Sequence, residues 1–177
     1  VWVRNAHTAV AEAARTNAFA RGLKRQTTVP VDLAEQVDGL LRKRVMEALS
    51  LANKAGLLVT GFAKVETAIT KAEAFALLHA ADAANDGCEK LDRKLKAVLR
   101  EITEETGKKA EATTVKMLNS EELSLATGRS NVVHAALRRG GATEKFLREA
   151  ERLRRYRSIA SSETATPSPS GLDTEHA

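Results

Sequence analysis

The sequence predicts an α/β fold: a three-layer α/β/α sandwich on a small four-stranded mixed sheet, preceded by a helical N-terminal segment. Two observations carry this. Short apolar runs alternate with helical stripes from about residue 57 to 157, the pattern of helices laid on both faces of one sheet. The run 74–81 is almost unbroken apolar, as befits a strand buried on both sides.

Residues 6–25 are alanine-rich without Pro, place Phe19 and Leu23 four apart, and read as one helix with Arg21, Lys24 and Arg25 on one side. Thr27 to Pro30 ends it. Asp32 with Glu35 looks like a capping box. It opens a helix on Leu33, Val37, Leu41, Val45, Leu49 and Ala52 that stops at Gly56, with Gly39 as a point where it can break in two.

Leu57, Leu58 and Val59 make a first strand. Thr60 follows as an expected N-cap, and Gly61 starts a helix carrying Val65, Ala68 and Ile69. The second strand is 74–81. Asp86 with Glu89 is the expected cap of a helix on Leu91, Leu95, Val98, Leu99 and Ile102, ended by Gly107. Residues 112–118 form a third strand, Ser120 opens a short helix ending at Gly128, and 131–137 form a fourth strand. Thr143 is the expected cap of a last helix through Phe146, Ala150, Leu153 and Tyr156. Residues 160–177 are rich in Ser, Thr and Pro with almost no large apolar group, and are expected to be disordered. The expected organisation is 1–38, 39–158 and a tail from 159 to 177.

Composition narrows the function classes. With 43% apolar residues among 177 the chain has enough to bury a core. Its one cysteine cannot make an internal disulfide, which fits a reducing, cytoplasmic setting. No apolar run reaches the roughly 20 residues of a membrane helix. The chain opens on Val1, not Met, so residues upstream are expected. Lys and Arg number 28 against 23 Asp and Glu, a mild prior for a polyanionic partner. The excess sits at the flanks: 8 basic to 4 acidic residues over 1–44, and five arginines to two glutamates over 148–157.

Catalytic signatures are not found: there is no phosphate-cradling glycine loop, no GxSxG and no HExxH. Cys88 has no His or second Cys near it in sequence and reads as structural. His79 and His134 lie in strand runs and read as sheet neighbours tucked at a core edge, not as metal ligands. Asp82 reads as a turn or cap residue. No enzyme activity, metal or cofactor is expected.

The runs MEALSLANKAGLLVTGFAKVETAI, FALLHAADAA and NSEELSLATGRSNVVHAAL, in that order, resemble the L-seven-Ae-like superfamily of ribosomal and kink-turn-binding proteins over roughly residues 40–147. The opening VWV and NAFARGLK at 17–24 look like the C-terminal half of a YlxR domain, without its Gly-Arg-Gly before the Trp or its upstream cysteine-containing region. That pairing resembles bacterial nucleic-acid-binding proteins implicated in transcription termination. It implies a non-enzymatic protein that binds structured RNA, linked to the ribosome or the transcription machinery.

Kink-turn binders carry Gly-x-Asn-Glu and then a Lys to read sheared base pairs. The matching positions here are Gly61, Phe62, Ala63, Lys64 and Thr67, so the base-reading set is replaced. What remains suits phosphate contact: Lys54, the amides around Gly61 and Phe62, Lys64, and Gly128 with Arg129. The N-terminal Arg21, Lys24 and Arg25 join this set. The plain alternative is a cap, a tight turn and solvated helix residues. The arginine helix 148–157 is either a second RNA surface or a solvated face paired with Glu149 and Glu151. The rival to the whole reading is a protein-interaction adaptor that has lost RNA recognition.

Overall fold

The computed structural model describes residues 2–158, so the expected tail 159–177 lies outside the described residues. These divide into two units, Gln36–Arg154 and a second one built from the flanking residues up to Glu35 and from Arg155.

In the flanking unit, α1 (His7–Arg15) and α2 (Ala18–Leu23) replace the single helix expected over 6–25. The break is at Asn17, which sits in the left-handed region at φ 52°. Asparagine tolerates that conformation better than most residues, so the helix stops where its sequence allows. Val10 and Ala13 are buried on α1, as is its N-cap Ala6. Tyr156 is buried too, donating its hydroxyl to the Ala34 carbonyl at 2.8 Å and meeting the His7 ring edge-on at 5.8 Å.

Helix α3 (Leu33–Lys54) runs unbroken through Gly39, its buried stripe of Leu41, Val45, Ala48, Leu49 and Ala52 following the helical period. After it come β1 (Leu58–Thr60), α4 (Phe62–Thr70), β2 (Ala76–His79), α5 (Asn85–Thr106), β3 (Thr113–Val115), α6 (Ser120–Thr127), β4 (His134–Leu137) and α7 (Gly141–Ser158). The strand order is β1-β4-β2-β3, with β4 antiparallel to both β1 and β2, and β3 parallel to β2. The expected small mixed α/β sheet is therefore observed, with β2, β3 and β4 shorter than their apolar runs and β1 shifted one residue on from 57–59.

Alternation along the central strands assigns the faces. Leu77 pairs with Ala136 and His79 with His134, so these four share a face. Leu77 and Ala136 belong to one cluster with Val65, Ala68 and Ile69 of α4 and Leu91 and Leu95 of α5. Ala76, Leu78, Ala135 and Leu137 point the other way and are equally buried. Further buried stripes lie on α3, on α6 (Leu123, Ala126) and on α7 (Phe146, Ala150, Leu153).

Three expected caps are corrected. Thr60 is the last residue of β1, and Gly61 is the N-cap of α4. The N-cap of α5 is Ala84, with no side-chain cap from Asp86. Thr143 lies inside α7, buried, its hydroxyl donating to the Arg138 carbonyl at 2.7 Å. Helix α6 instead carries a capping box: Asn119 accepts from the Glu122 amide at 2.8 Å, and Glu122 accepts from the Asn119 amide at 2.9 Å. Among the described residues no helix is long and apolar enough to cross a membrane.

Candidate nucleic-acid interface

Three segments meet at one end of the sheet. The end of α3 is tied to the end of α6 by Asn53, whose side-chain amide donates to the Thr127 carbonyl at 2.9 Å. The α6–β4 loop is tied to β1 by Arg129, whose Nη1 donates to Thr60 Oγ at 2.8 Å. The β1–α4 turn is tied to β4 by the Gly61 amide, which donates to the His134 carbonyl at 3.0 Å. Lys54, Gly61, Phe62, Lys64, Gly128 and Arg129 thus lie on neighbouring segments, and all six are exposed.

Gly61 has φ 92° and ψ 141°, a conformation that side chains avoid, and a Cβ built there would meet nothing within 4 Å. The glycine is needed for backbone shape, and it leaves the turn open to approach. Gly128 ends α6 in the left-handed region at φ 66°, which turns the chain toward Arg129.

The two nearby helix starts differ in what they offer an anion. The start of α6 is saturated by its capping box and by Asp82, which accepts from the Ser120 amide at 2.8 Å and its hydroxyl at 2.6 Å. Those bonds hold the Asp82 carboxyl below its ordinary pKa. The start of α4 has no side-chain cap and no acidic residue in its first turn. Its first amides have no partner within the helix, and the helix dipole favours negative charge there.

An open groove of about 380 Å³ runs along α4 past Ala63, Lys64, Thr67 and Lys71 to Arg138. Arg138 is engaged by Glu73 at 2.9 Å, whereas Lys64 and Lys71 form no ion pair among the described residues. Lys71 is absent from the sequence-based set, although it lies seven residues from Lys64, two turns on along the same face.

Arg21, Lys24 and Arg25 belong to the flanking unit, where all three are exposed and Arg21 Nη2 donates to the Thr16 carbonyl at 3.0 Å. On α7, Arg154 is paired with Glu151 through 2.6 and 2.9 Å bonds, as the solvated-face reading of that helix expects.

Beneath the β1–α4 turn, His79 and His134 are cross-strand partners with Nδ1 atoms 2.9 Å apart. The Phe62 ring meets the His134 ring edge-on at 5.8 Å. Cys88, which has no potential co-ligand near it in sequence, comes to this pair through the docking of α5: one ligand atom from each of the three lies within 4.8 Å of the others.

No protein-family model matches the chain, and no curated protein matches it. Among solved structures it is similar to a protein with unknown function from Bacillus halodurans C, at 19% identity and a TM-score of 0.51, covering 61% of this chain and 97% of that one. That likeness bears on the fold. A second is the Giardia lamblia 15.5kD RNA binding protein, at 15% identity and a TM-score of 0.42, covering 64% of this chain and 87% of that one.

Proposed function

We propose that this is a non-enzymatic RNA-binding protein that grips structured RNA mainly through its phosphate backbone at the Gly61 end of the sheet. The observation that carries the reading is the uncapped, acid-free start of α4 with Arg129 bonded against its entrance and Lys64 in its first turn. Free amides, a helix dipole and mobile cations around one open turn are what a phosphate needs. Such contacts fix position and affinity without reading sequence. This agrees with Ala63, Lys64 and Thr67 standing where the resembling family has its base-reading residues.

The resemblance to two-part bacterial proteins supports a further reading, in which the N-terminal segment is YlxR-like, Arg21, Lys24 and Arg25 add to RNA affinity, and the protein works in the cytoplasm with the ribosome or the transcription-termination machinery. The replaced base-reading residues favour one competitor, an adaptor that docks on protein instead. Titrating total cellular RNA at several salt concentrations separates the two. Phosphate-dominated binding falls steeply as salt rises, because each neutralised phosphate releases counterions. No binding, or binding indifferent to salt, would favour the adaptor.

A further inference from the structure

His79 and His134 are 2% and 8% exposed on a sheet face otherwise lined with aliphatic side chains, and Cys88 of α5 is 6% exposed. Burying polar rings there is costly unless their nitrogens are satisfied. The geometry indicates how His79 is satisfied. Its Nε2 is 3.3 Å from Asp92 Oδ1, an oxygen that also accepts from the Thr114 hydroxyl at 3.3 Å. A carboxylate on Nε2 calls for the proton on Nε2, which leaves a lone pair on Nδ1 aimed at His134. A carboxylate behind the distal nitrogen is the arrangement that orients metal-ligating histidines.

The other two groups are placed to complete a donor set. The His134 ring presents its Nδ1 to the same space, 2.9 Å from His79 Nδ1. Gly87 lets α5 come close: a Cβ there would lie 3.0 Å from His134 Nε2. The next residue in the chain is Cys88.

We propose that His79 Nδ1, His134 Nδ1 and Cys88 Sγ form a zinc site tying β2, β4 and α5 together, with His79 oriented by Asp92 and a fourth, exchangeable ligand completing the tetrahedron. Mixed imidazole and thiolate donors suit zinc and not magnesium or calcium. With Zn–N of about 2.1 Å and Zn–S of about 2.3 Å, a tetrahedron separates two nitrogens by about 3.4 Å and nitrogen from sulfur by about 3.6 Å. The two Nδ1 atoms, 2.9 Å apart, open by about 0.5 Å, and the sulfur, whose ligand atom lies within 4.8 Å of one from each ring, closes by about 1.2 Å or less, within reach of side-chain rotation. On binding, the thiol proton leaves to solvent and the His134 proton passes from Nδ1 to Nε2. The site stands independently of the RNA reading, although it lies under Gly61 and Phe62.

The full chain, stripped with chelator, is titrated with Co²⁺ and then Zn²⁺. One equivalent of Co²⁺ is expected to give tetrahedral visible bands and a thiolate charge-transfer band, both erased by Zn²⁺; with one cysteine in the chain, a thiolate band assigns the site. Zn²⁺ should shield Cys88 from alkylation. Asp92→Asn should weaken Zn²⁺ binding about 10- to 100-fold at unchanged stoichiometry, and Cys88→Ala should weaken it further and abolish the thiolate band. A wild-type titration without that band would overturn the proposal, as would Zn²⁺ affinity equal in wild type and a folded Cys88→Ala. So would histidine ¹⁵N spectra in which an Nδ1–H···Nδ1 bond persists with Zn²⁺ present, since the pair is then a structural hydrogen bond only.

Discussion

Arg129 and Thr60 are 69 residues apart in sequence and joined by a 2.8 Å hydrogen bond from guanidinium to hydroxyl. Through it the loop after α6 is held against the entrance of α4. The bond uses one of five guanidinium N–H donors, so the charge stays available to a ligand.

Separating position from charge is a first prediction. Arg129→Ala removes both and should lower RNA affinity more than Thr60→Val, which removes only the acceptor. Stability should fall by no more than about 1 kcal/mol in either variant, the scale of one hydrogen bond. Equal affinities in the two variants would mean the charge contributes nothing.

Two glycines should respond in opposite directions. Gly61→Ala puts a side chain at φ 92° and should destabilise by about 1–3 kcal/mol. Gly39 lies within an unbroken helix, exposed, with nothing within 4 Å of an added Cβ, so Gly39→Ala should stabilise by about 0.5–1 kcal/mol. Denaturant midpoints at constant slope check both.

Ala63, Lys64 and Thr67 are all exposed on the first turns of α4. The combined variant Ala63→Asn, Lys64→Glu and Thr67→Lys should create or sharpen binding to a kink-turn RNA, measured by gel shift against wild type. Tight and equal binding by both proteins would show that these positions do not correspond to the family's base-reading residues.

Asp82 gives a pH dependence with a definite sign. Its pKa is lowered by the Ser120 bonds, so the folded state binds its proton less readily than the unfolded one. Its stabilising contribution is complete above the ordinary carboxyl range and is lost as pH falls through the lowered value. Asp82→Asn should therefore be less stable than wild type at neutral pH and converge on it in acid.

Much of this was legible in the chain. Three of the four strands fall inside their apolar runs and β1 lies one residue later than its run, while the pairing of His79 with His134 follows from their positions in two central strands. Caps were less legible: Thr60, Asp86 and Thr143 have suitable side chains, but where a helix starts depends on where the preceding strand or turn releases the chain. Asn119 and Ser120 are equally good cap residues side by side, so the chain alone does not say which one caps α6. The break at Asn17 depends on a left-handed residue that alanine-rich surroundings conceal. The approach of Cys88 to the histidines was illegible for another reason: it is set by how α5 lies on the sheet, and Gly87, the residue that permits it, reads in sequence as a poor helix former.

The central claim rests on cations grouped around the α4 entrance, and the salt dependence of RNA binding tests it most directly. For Lys54→Ala, Lys64→Ala and Arg129→Ala combined, the slope of log K against log salt should flatten by about 2 to 3 units, at roughly 0.7 to 0.9 per phosphate contact. Wild-type affinity and slope in that variant, with both reduced instead by Arg21→Ala, Lys24→Ala and Arg25→Ala, would contradict the claim and move the RNA contact to the flanking unit.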